Sequence, residues 1–396
     1  MTLEREATVA VGAPSPADRP HPPIRIRTGH SYNVPLSITL GQRNAKFVQR
    51  ALTPLARVGR WRWVDSMSFV PEPGFDAIHS FNTVPLLTRR PYIVTFEDFL
   101  PRTPEDRRIA WLERWLRDLL LEPRCVGIVA LSDYAVRQVR RQHRGWSGLP
   151  DLLAKISVVP PATPIRRDRP KHHSDRLRLL FVGYDFMRKG GPIVLRTHEI
   201  LRARGVPVET TIVSSLGWSA DDYVGPPDAA YVQAELARLS QEGVIHHRRQ
   251  PLAEVHRLMD AADWFVFPTF HDTFGFVTIE ALAGGTPVIA TDTCVMPEVV
   301  IPGETGWLLP FENEDEVGKW RWLYRNAESG YLDAYHRATL RLADALADRL
   351  TEAWEQRRDY QILSAGALAA ARTRYNPEIA RTKLETLYER FRDVLT

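Results

Sequence analysis

Cysteine is scarce in this sequence, and long apolar runs are absent. The 396 residues contain two cysteines, Cys125 and Cys294, which excludes a disulfide framework and a cysteine-based zinc site. No apolar run approaches the roughly 18 residues that span a bilayer. The Pro-rich, charged N-terminus lacks the apolar core of a signal peptide. We therefore expect a cytoplasmic protein with a flexible leader over residues 1–22.

Two phosphate-binding signatures are missing as well. Neither the Walker pattern G-x-x-x-x-G-K-[ST] nor the dinucleotide pattern G-x-G-x-x-G occurs. The pairs His172-His173 and His246-His247 lack the carboxylate–histidine spacing of a metal site. We therefore predict surface histidines and no metal. No nucleic-acid-binding module accompanies the basic residues, so nucleic acid is not an expected partner.

Charge is distributed unevenly along the chain. Residues 1–170 hold 26 basic and 16 acidic side chains, a balance of +10, and residues 171–396 hold 26 and 32, a balance of −6. Arginine and tryptophan cluster at residues 57–63 and 137–146. Such clusters suit peripheral contact with an anionic membrane. They also suit a solvated basic face, and both alternatives stay open.

Strand-like and helix-like patterns alternate along most of the chain, which predicts an α/β protein with parallel sheets. Because domains usually have about 50–250 residues, this length favours two domains. We place a first domain at 23–165, a Pro-rich charged linker at 166–175 and a second domain at 176–374. A terminal helix at 375–396 has the length to cross back to the first domain.

Two local predictions concern the first half. Residues 42–52 have a helical pattern that ends at Pro54. A second helical pattern over 104–121 contains Trp111 and Trp115, which we expect to pack in the core.

Polar side chains follow two predicted strands of the first half. His79 lies near the end of one strand, and Glu97 and Asp98 follow the next. Ligands of open parallel sheets bind at the carboxyl ends of strands. These three residues are therefore candidates for an active-site or acceptor rim, with turn capping as the alternative.

Two stretches of the second half carry the clearest chemistry. Arg188-Lys189-Gly190-Gly191 follows a predicted strand that ends at Gly183, and cations beside glycines suit a diphosphate. Residues 268–300 contain Asp272, Phe274-Gly275 and a predicted helix with Glu280. Carboxylates accept hydrogen bonds from hydroxyls, and the first amides of a helix face anions.

These stretches resemble the retaining glycosyltransferases of family 4 (glycosyltransferase group 1), which have the GT-B fold. The likeness lies in F-P-x-x-x-D-T-F-G-x-x-x-x-E-A-L-A-x-G-x-P-V-I-A-T-D, which begins at Phe267, and in F-V-G-x-D-x-x-R-K-G-G, which begins at Phe181. The resemblance implies two Rossmann-like domains that face a central cleft. The first would bind the acceptor and the second a nucleotide-sugar.

The resemblance also implies roles for individual residues. Glu280 would hold the donor ribose, Lys189 the diphosphate and Asp272 the donor sugar, where the family usually has glutamate. Arg188 would replace an arginine of the family that is Tyr184 here. Glu97 stands where the family often has histidine. The remaining implied donor contacts are Gly183, Phe274, Gly275, Phe276, Val277 and Thr278.

The implied activity is retaining, metal-independent transfer of a hexose from a nucleotide-diphosphate sugar, as in polysaccharide biosynthesis. The acceptor would be a hydroxyl of a glycan, a lipid or a small molecule, and no cofactor beyond this co-substrate is expected. Because Tyr184, Glu97 and Asp272 depart from the pattern, a catalytically inactive nucleotide-sugar-binding scaffold is the alternative.

Overall fold

The computed structural model describes residues 23–28, 45–49, 53–54, 66–69, 74–103, 109–220, 222–313 and 317–395. The predicted leader and the basic cluster at 57–63 lie outside these ranges. No helix within them is long and apolar enough to cross a membrane.

The described residues of the first half form nine strands and three helices. They are β1 Ile24–Thr28, β2 Ala45–Gln49, β3 Thr53–Pro54, β4 Met67–Phe69, β5 Ala77–Phe81, β6 Val84–Leu86, β7 Tyr92–Phe96, α1 Ala110–Leu121, β8 Cys125–Ala130, α2 Asp133–Gln142, α3 Leu149–Ala154 and β9 Ile156–Val158. Six strands form a parallel sheet in the order β2-β1-β5-β7-β8-β9, and β3, β4 and β6 form a small sheet.

The described residues of the second half form six strands and eight α-helices. They are β10 Leu177–Val182, α4 Gly191–Ala203, β11 Val208–Val213, α5 Ala229–Leu236, β12 Val244–His247, α6 Leu252–Ala261, β13 Trp264–Phe267, α7 Phe276–Ala283, β14 Val288–Thr291, α8 Met296–Val299, β15 Gly306–Leu309, α9 Tyr331–Glu355, α10 Tyr360–Arg374 and α11 Pro377–Leu395. The strands form a second parallel sheet.

The second sheet has the order β12-β11-β10-β13-β14-β15, which reverses direction between β10 and β13. Strands β13 and β14 are buried along their whole length, as expected when helices cover both faces. The predicted class, two Rossmann-like parallel-sheet domains, is confirmed. A reversal of strand order opens a crevice at the carboxyl ends of the strands, so the loops after β10 and β13 border the natural ligand site.

The segment between the two sheets is anchored rather than loose. Residues 160–176 form no helix or strand. The Lys171 ammonium is buried and donates hydrogen bonds to the carbonyl of Met259 and the hydroxyl of Thr286, at 3.2 and 2.8 Å. Burial lowers the pKa of Lys171 to about 7. The connection is thereby tied to the second sheet.

The last helix packs on the first sheet. Leu384, Leu387, Tyr388 and Phe391 of α11 share one apolar cluster with residues of β1, β5 and β7. Asn376 caps α11 by accepting a hydrogen bond from the Glu378 amide at 2.9 Å. Helix α11 therefore packs against the sheet that contains β1.

Two local predictions were wrong. Residues 45–49 form strand β2, which pairs in parallel with β1, instead of part of a helix. Pairing with β1 at the edge of the sheet outweighs the short helical pattern of this segment. In α1, Leu112 and Leu116 enter the core, whereas Trp111 and Trp115 are 64% and 43% exposed. A 12-residue helix on a sheet buries one stripe, and the leucines occupy it.

Candidate active site

The loop after β10 folds closely against the loop after β13. Gly190 has φ of 84°, and a Cβ there would lie 2.0 Å from the carbonyl oxygen of Pro268. A Cβ on Gly191 would lie 2.1 Å from the ring of Phe186. Because only glycine tolerates these contacts, the glycine pair brings Arg188 and Lys189 beside the second loop.

Lys189 and Asp272 form an ion pair at the point where the strand order reverses. Lys189 Nζ lies 2.5 Å from Asp272 Oδ2 and donates to the carbonyl of His271 at 3.2 Å. Burial lowers the pKa of Lys189, and the Asp272 carboxylate opposes this change. Burial would raise the pKa of Asp272, but Lys189 holds it below its ordinary value. Each group therefore favours the charged form of the other, against the effect of burial.

Asp272 also orders the start of α7. Its Oδ1 accepts hydrogen bonds from the amides of Phe274 and Gly275, at 3.1 and 2.6 Å. Gly275 has φ of 71°, and α7 begins at the next residue. Since the first amides of a helix have no intrahelical partner, Phe276 and Val277 offer N–H groups to an anion.

The implied donor contacts Phe274 and Thr278 have buried side chains. The Thr278 hydroxyl donates to the carbonyl of Gly275 at 2.6 Å. A Cβ on Gly183 would lie 3.0 Å from the Lys189 Cβ. These three residues therefore shape the loops after β10 and β13.

Arg188 is held by two carboxylates that the sequence analysis missed. Its Nε lies 2.8 Å from Asp185 Oδ2 and 3.7 Å from Asp222 Oδ2. Its guanidinium carbon lies 5.5 Å from the centre of the Tyr223 ring. Asp185, three residues earlier, could have been inferred from its spacing. Asp222 lies in the long loop after β11, and no local pattern signals it.

Glu280 lies on α7 in a largely buried position. Burial raises its pKa to about 7, and the positive charge of Arg166 opposes this rise. Arg166 donates to the Glu280 backbone carbonyl at 2.7 Å and forms an ion pair with Asp260 at 2.9 Å. His256 Nε2 lies 3.9 Å from the Glu280 carboxylate. Arg166 was not a candidate in the sequence, because it lies in the predicted linker.

Glu97 and Asp98 follow β7 and touch the second half of the chain. Glu97 Oε1 accepts a hydrogen bond from Asn82 at 3.0 Å, and Thr273 beside Asp272 donates to the same carboxylate. Burial raises the pKa of Glu97. Asp98 Oδ1 lies 3.3 Å from Lys319 Nζ. The carboxyl ends of the two sheets therefore face each other across a common cleft.

The Asp98 carboxylate also accepts a hydrogen bond from Tyr134, at 3.0 Å. Lys319 and Tyr134 were not candidates in the sequence, because they lie far from it along the chain.

His79 does not lie on the rim, which corrects the prediction for this residue. Its Nδ1 lies 2.7 Å from the hydroxyl of Tyr388 on α11, and its Nε2 lies 2.6 Å from the hydroxyl of Thr95. Burial lowers the pKa of His79 to about 3, so the ring is neutral. It is the third residue of a five-residue strand and points toward α11. We predicted that this strand ends near His79, whereas β5 continues to Phe81.

A family model matches part of this chain. Residues 164–328 match the model described as glycosyl transferases group 1. This segment contains Arg188, Lys189, Asp272 and Glu280. This part of the chain is therefore similar to the group 1 glycosyltransferases.

Curated relatives match about two fifths of the chain. D-inositol 3-phosphate glycosyltransferase from Paenarthrobacter aurescens is 29% identical over 170 residues, 40% of either chain. Alpha-maltose-1-phosphate synthase from Mycolicibacterium smegmatis is 31% identical over 153 residues, 36% of this chain and 38% of the relative. The matches thus span about two fifths of these relatives' lengths.

Solved structures resemble nearly the whole chain. Sucrose-phosphate synthase from Thermosynechococcus elongatus has a TM-score of 0.60 at 14% identity and covers 94% of this chain and 100% of its own. HepE from Anabaena in complex with UDP-glucose has a TM-score of 0.59 at 15% identity, with 92% and 100% covered. At such identity the likeness shows the fold, which is GT-B.

Proposed function

We propose that this protein transfers a sugar from a nucleotide-diphosphate sugar to an acceptor hydroxyl, with retention of anomeric configuration and without a metal ion. The observation that carries the proposal is the meeting of Lys189 and Asp272 at 2.5 Å, at the reversal of strand order and beside the start of α7. That place combines cations, a carboxylate and helix amides, which together suit a diphosphate joined to a sugar.

Each part of the donor has a partner in this arrangement. The Glu280 carboxylate accepts hydrogen bonds from both ribose hydroxyls. Arg188, Lys189 and the amides of Phe276 and Val277 face the diphosphate. Asp272 accepts from a hydroxyl of the sugar. The solved complex of HepE with UDP-glucose supports a nucleotide-sugar as the donor class.

The chemical step needs charge stabilisation at the leaving group. Departure of the nucleotide diphosphate builds negative charge on its phosphate oxygens, and preorganised cations and amides stabilise such charge. Arg188 and Lys189 supply this positive charge, so the proposal requires no metal. Retention by front-side displacement rests on the family resemblance. Glu97 and Asp98 would line the acceptor side.

The test is release of the nucleotide from UDP-, GDP- and ADP-sugars. We expect Lys189→Ala and Glu280→Gln each to reduce turnover at least about a hundredfold, since each removes a charged contact to the donor. Asp348→Asn, an exposed change on α9, serves as the control. Wild-type rates in both variants would contradict the proposal.

A catalytically inactive nucleotide-sugar-binding scaffold remains the alternative function, because carboxylates already neutralise the positive charges of Arg188 and Lys189 in this structure. Calorimetry distinguishes the two functions. Nucleotide-sugar binding without hydrolysis or transfer to a broad panel of acceptors would favour the scaffold.

We also propose peripheral contact with an anionic membrane through α1. Trp111 and Trp115 are exposed one turn apart, and the exposed Arg114 lies between them. Tryptophan is favoured at headgroup level, where arginine meets lipid phosphate. The predicted cluster at 137–146 offers less, since Arg137 pairs with Glu298 at 3.0 Å and Arg117 lies 4.4 Å from the Trp146 ring.

Vesicle flotation tests the membrane contact. We expect the wild type to float with phosphatidylglycerol-containing vesicles at low salt, and the double variant Trp111→Ala/Trp115→Ala to lose this binding. Ile362→Ala, on an equally exposed apolar residue of α10, should float like the wild type. Equal binding to neutral vesicles, or none, would remove the proposal.

A further inference from the structure

Three side chains fix Arg188 in a largely buried position. Its guanidinium faces the carboxylates of Asp185 and Asp222, at 2.8 and 3.7 Å, and lies over the Tyr223 ring. The three charged side chains are only 21%, 14% and 14% exposed. Two carboxylates therefore share one cation in a place where water screens poorly.

The loop that carries Asp222 is firmly anchored. The Asp222 carbonyl accepts a hydrogen bond from Asn326 at 2.8 Å. The adjacent Tyr223 stacks on Tyr324 with 5.1 Å between ring centres, and its hydroxyl lies 3.3 Å from His271 Nδ1. His271 immediately precedes Asp272 of the proposed donor site. Asp222 is thus a fixed neighbour of Arg188, built into the same wall of the cleft.

Because two carboxyl groups face one cation, the cluster favours one proton shared by Asp185 and Asp222. The carboxyl groups of Asp185 and Asp222 approach the same atom, Arg188 Nε, at 2.8 and 3.7 Å, and therefore lie close to each other. Burial, and then the Asp185 carboxyl, raise the pKa of Asp222 to about 7, while Arg188 opposes the rise. Among the residues that the structure describes, the other titratable groups that face Asp222 are Tyr223 and Tyr331, which are neutral because burial raises their pKa values.

We propose that Asp222 is a positioning residue that couples donor binding at Arg188 to the uptake of one proton. A diphosphate beside Arg188 brings negative charge close to the Asp185–Asp222 pair, and a carboxyl with a nearby like charge binds its proton more tightly. The proton comes from solvent and stays on the pair, which leaves Arg188 to the phosphate oxygens. This inference rests on the proposed function, because it needs a diphosphate ligand.

Titration calorimetry in buffers of different ionisation enthalpy measures the proton directly. UDP, GDP and ADP are titrated at pH 8, and the tightest binder is used as the probe. At that pH a group with a pKa of about 7 is mostly ionised, so we expect uptake of about half a proton or more per nucleotide. The affinity should fall at least severalfold from pH 7 to pH 9.

Three variants separate positioning from folding. Asp222→Asn should bind the nucleotide with uptake near zero and lose the decline in affinity above pH 7. Asp222→Glu keeps the acid and should restore most of the uptake. Asp344→Asn, an exposed change on α9, should behave like the wild type. Thermal melting without ligand shows whether each variant is folded.

Unchanged proton uptake in Asp222→Asn, or wild-type binding without uptake, would overturn this inference and leave the proposed function standing. If none of the three nucleotides binds the wild type, both fail together.

Discussion

No contact with the described residues explains why the Glu280 carboxyl is largely buried. Its carboxyl accepts no hydrogen bond within 3.5 Å from the described residues, and the ring of His256, whose pKa burial lowers, lies 3.9 Å away. Burial raises its pKa to about 7, against an ordinary value of 4.5. An acid with a raised pKa binds its proton more tightly in the folded state. The ionised form therefore weakens the fold, and the loss sets in as pH rises from about 4.5 through 7.

Replacement of Glu280 by glutamine should consequently separate stability from binding. At pH 8 we expect Glu280→Gln to be more stable than the wild type by about 1–3 kcal/mol, and at pH 4 to differ little from it. Urea denaturation at both pH values measures the difference. Nucleotide binding should be lost at either pH. Lower stability than the wild type at pH 8 would show that the ionised carboxylate stabilises the fold.

At the scale of elements, the turn into α4 depends on glycine for two reasons. Gly190 has φ of 84°, and its missing Cβ leaves room for the Pro268 carbonyl, 2.0 Å from where that atom would lie. Gly205 after the same helix has φ of 74°, but apart from its two chain neighbours no atom of the described residues lies within 4 Å of its Cβ position. Both glycines have a left-handed backbone conformation, but of the two only Gly190 lies against the Pro268 carbonyl.

Alanine at these two positions should therefore have different effects. Gly205→Ala should cost about 1 kcal/mol, the usual cost of the left-handed conformation. Gly190→Ala should cost at least about 3 kcal/mol, because the Pro268 backbone must move as well, and nucleotide affinity should fall with it. Urea denaturation and calorimetry measure the two effects. Equal costs would mean that the loop after β13 adapts freely.

At the scale of the whole molecule, α11 joins the end of the chain to the first sheet. The Tyr388 hydroxyl lies 2.7 Å from His79 Nδ1 in a fully buried pair. A similar pair, Tyr231 with His336 at 3.3 Å, is only half-buried. A buried polar atom that loses its partner costs free energy, whereas an accessible one turns to water.

Removal of the Tyr388 and Tyr231 hydroxyls, one at a time, tests how much the joint between α11 and the first sheet contributes to the free energy of unfolding. We expect Tyr388→Phe to lower the free energy of unfolding by about 1–3 kcal/mol and Tyr231→Phe to lower it by less than about 1 kcal/mol. Nucleotide binding should remain unchanged in both, because neither hydroxyl lies in the donor site. Similar losses in the two variants would place the stability of the joint in the apolar contacts of α11.

The sequence could predict the parts that depend on local pattern. The strand β13, the turn at Phe274-Gly275 and helix α7 follow each other within 20 residues, and their apolar and glycine positions are readable directly. Lys189, Asp272 and Glu280 could be singled out for the same reason. The strand at 45–49 could not, because its partner β1 lies outside any local window.

By itself, then, the sequence determined the alternation of strands and helices, the glycine turns and the charged residues next to them, since these depend on neighbours along the chain. The tertiary structure alone decided which charges meet. It placed Asp222 beside Arg188, Thr273 beside Glu97, and His79 beneath α11. The physical reason is that such contacts join segments far apart in sequence, and only the packing of the two sheets and α11 brings them within hydrogen-bond distance.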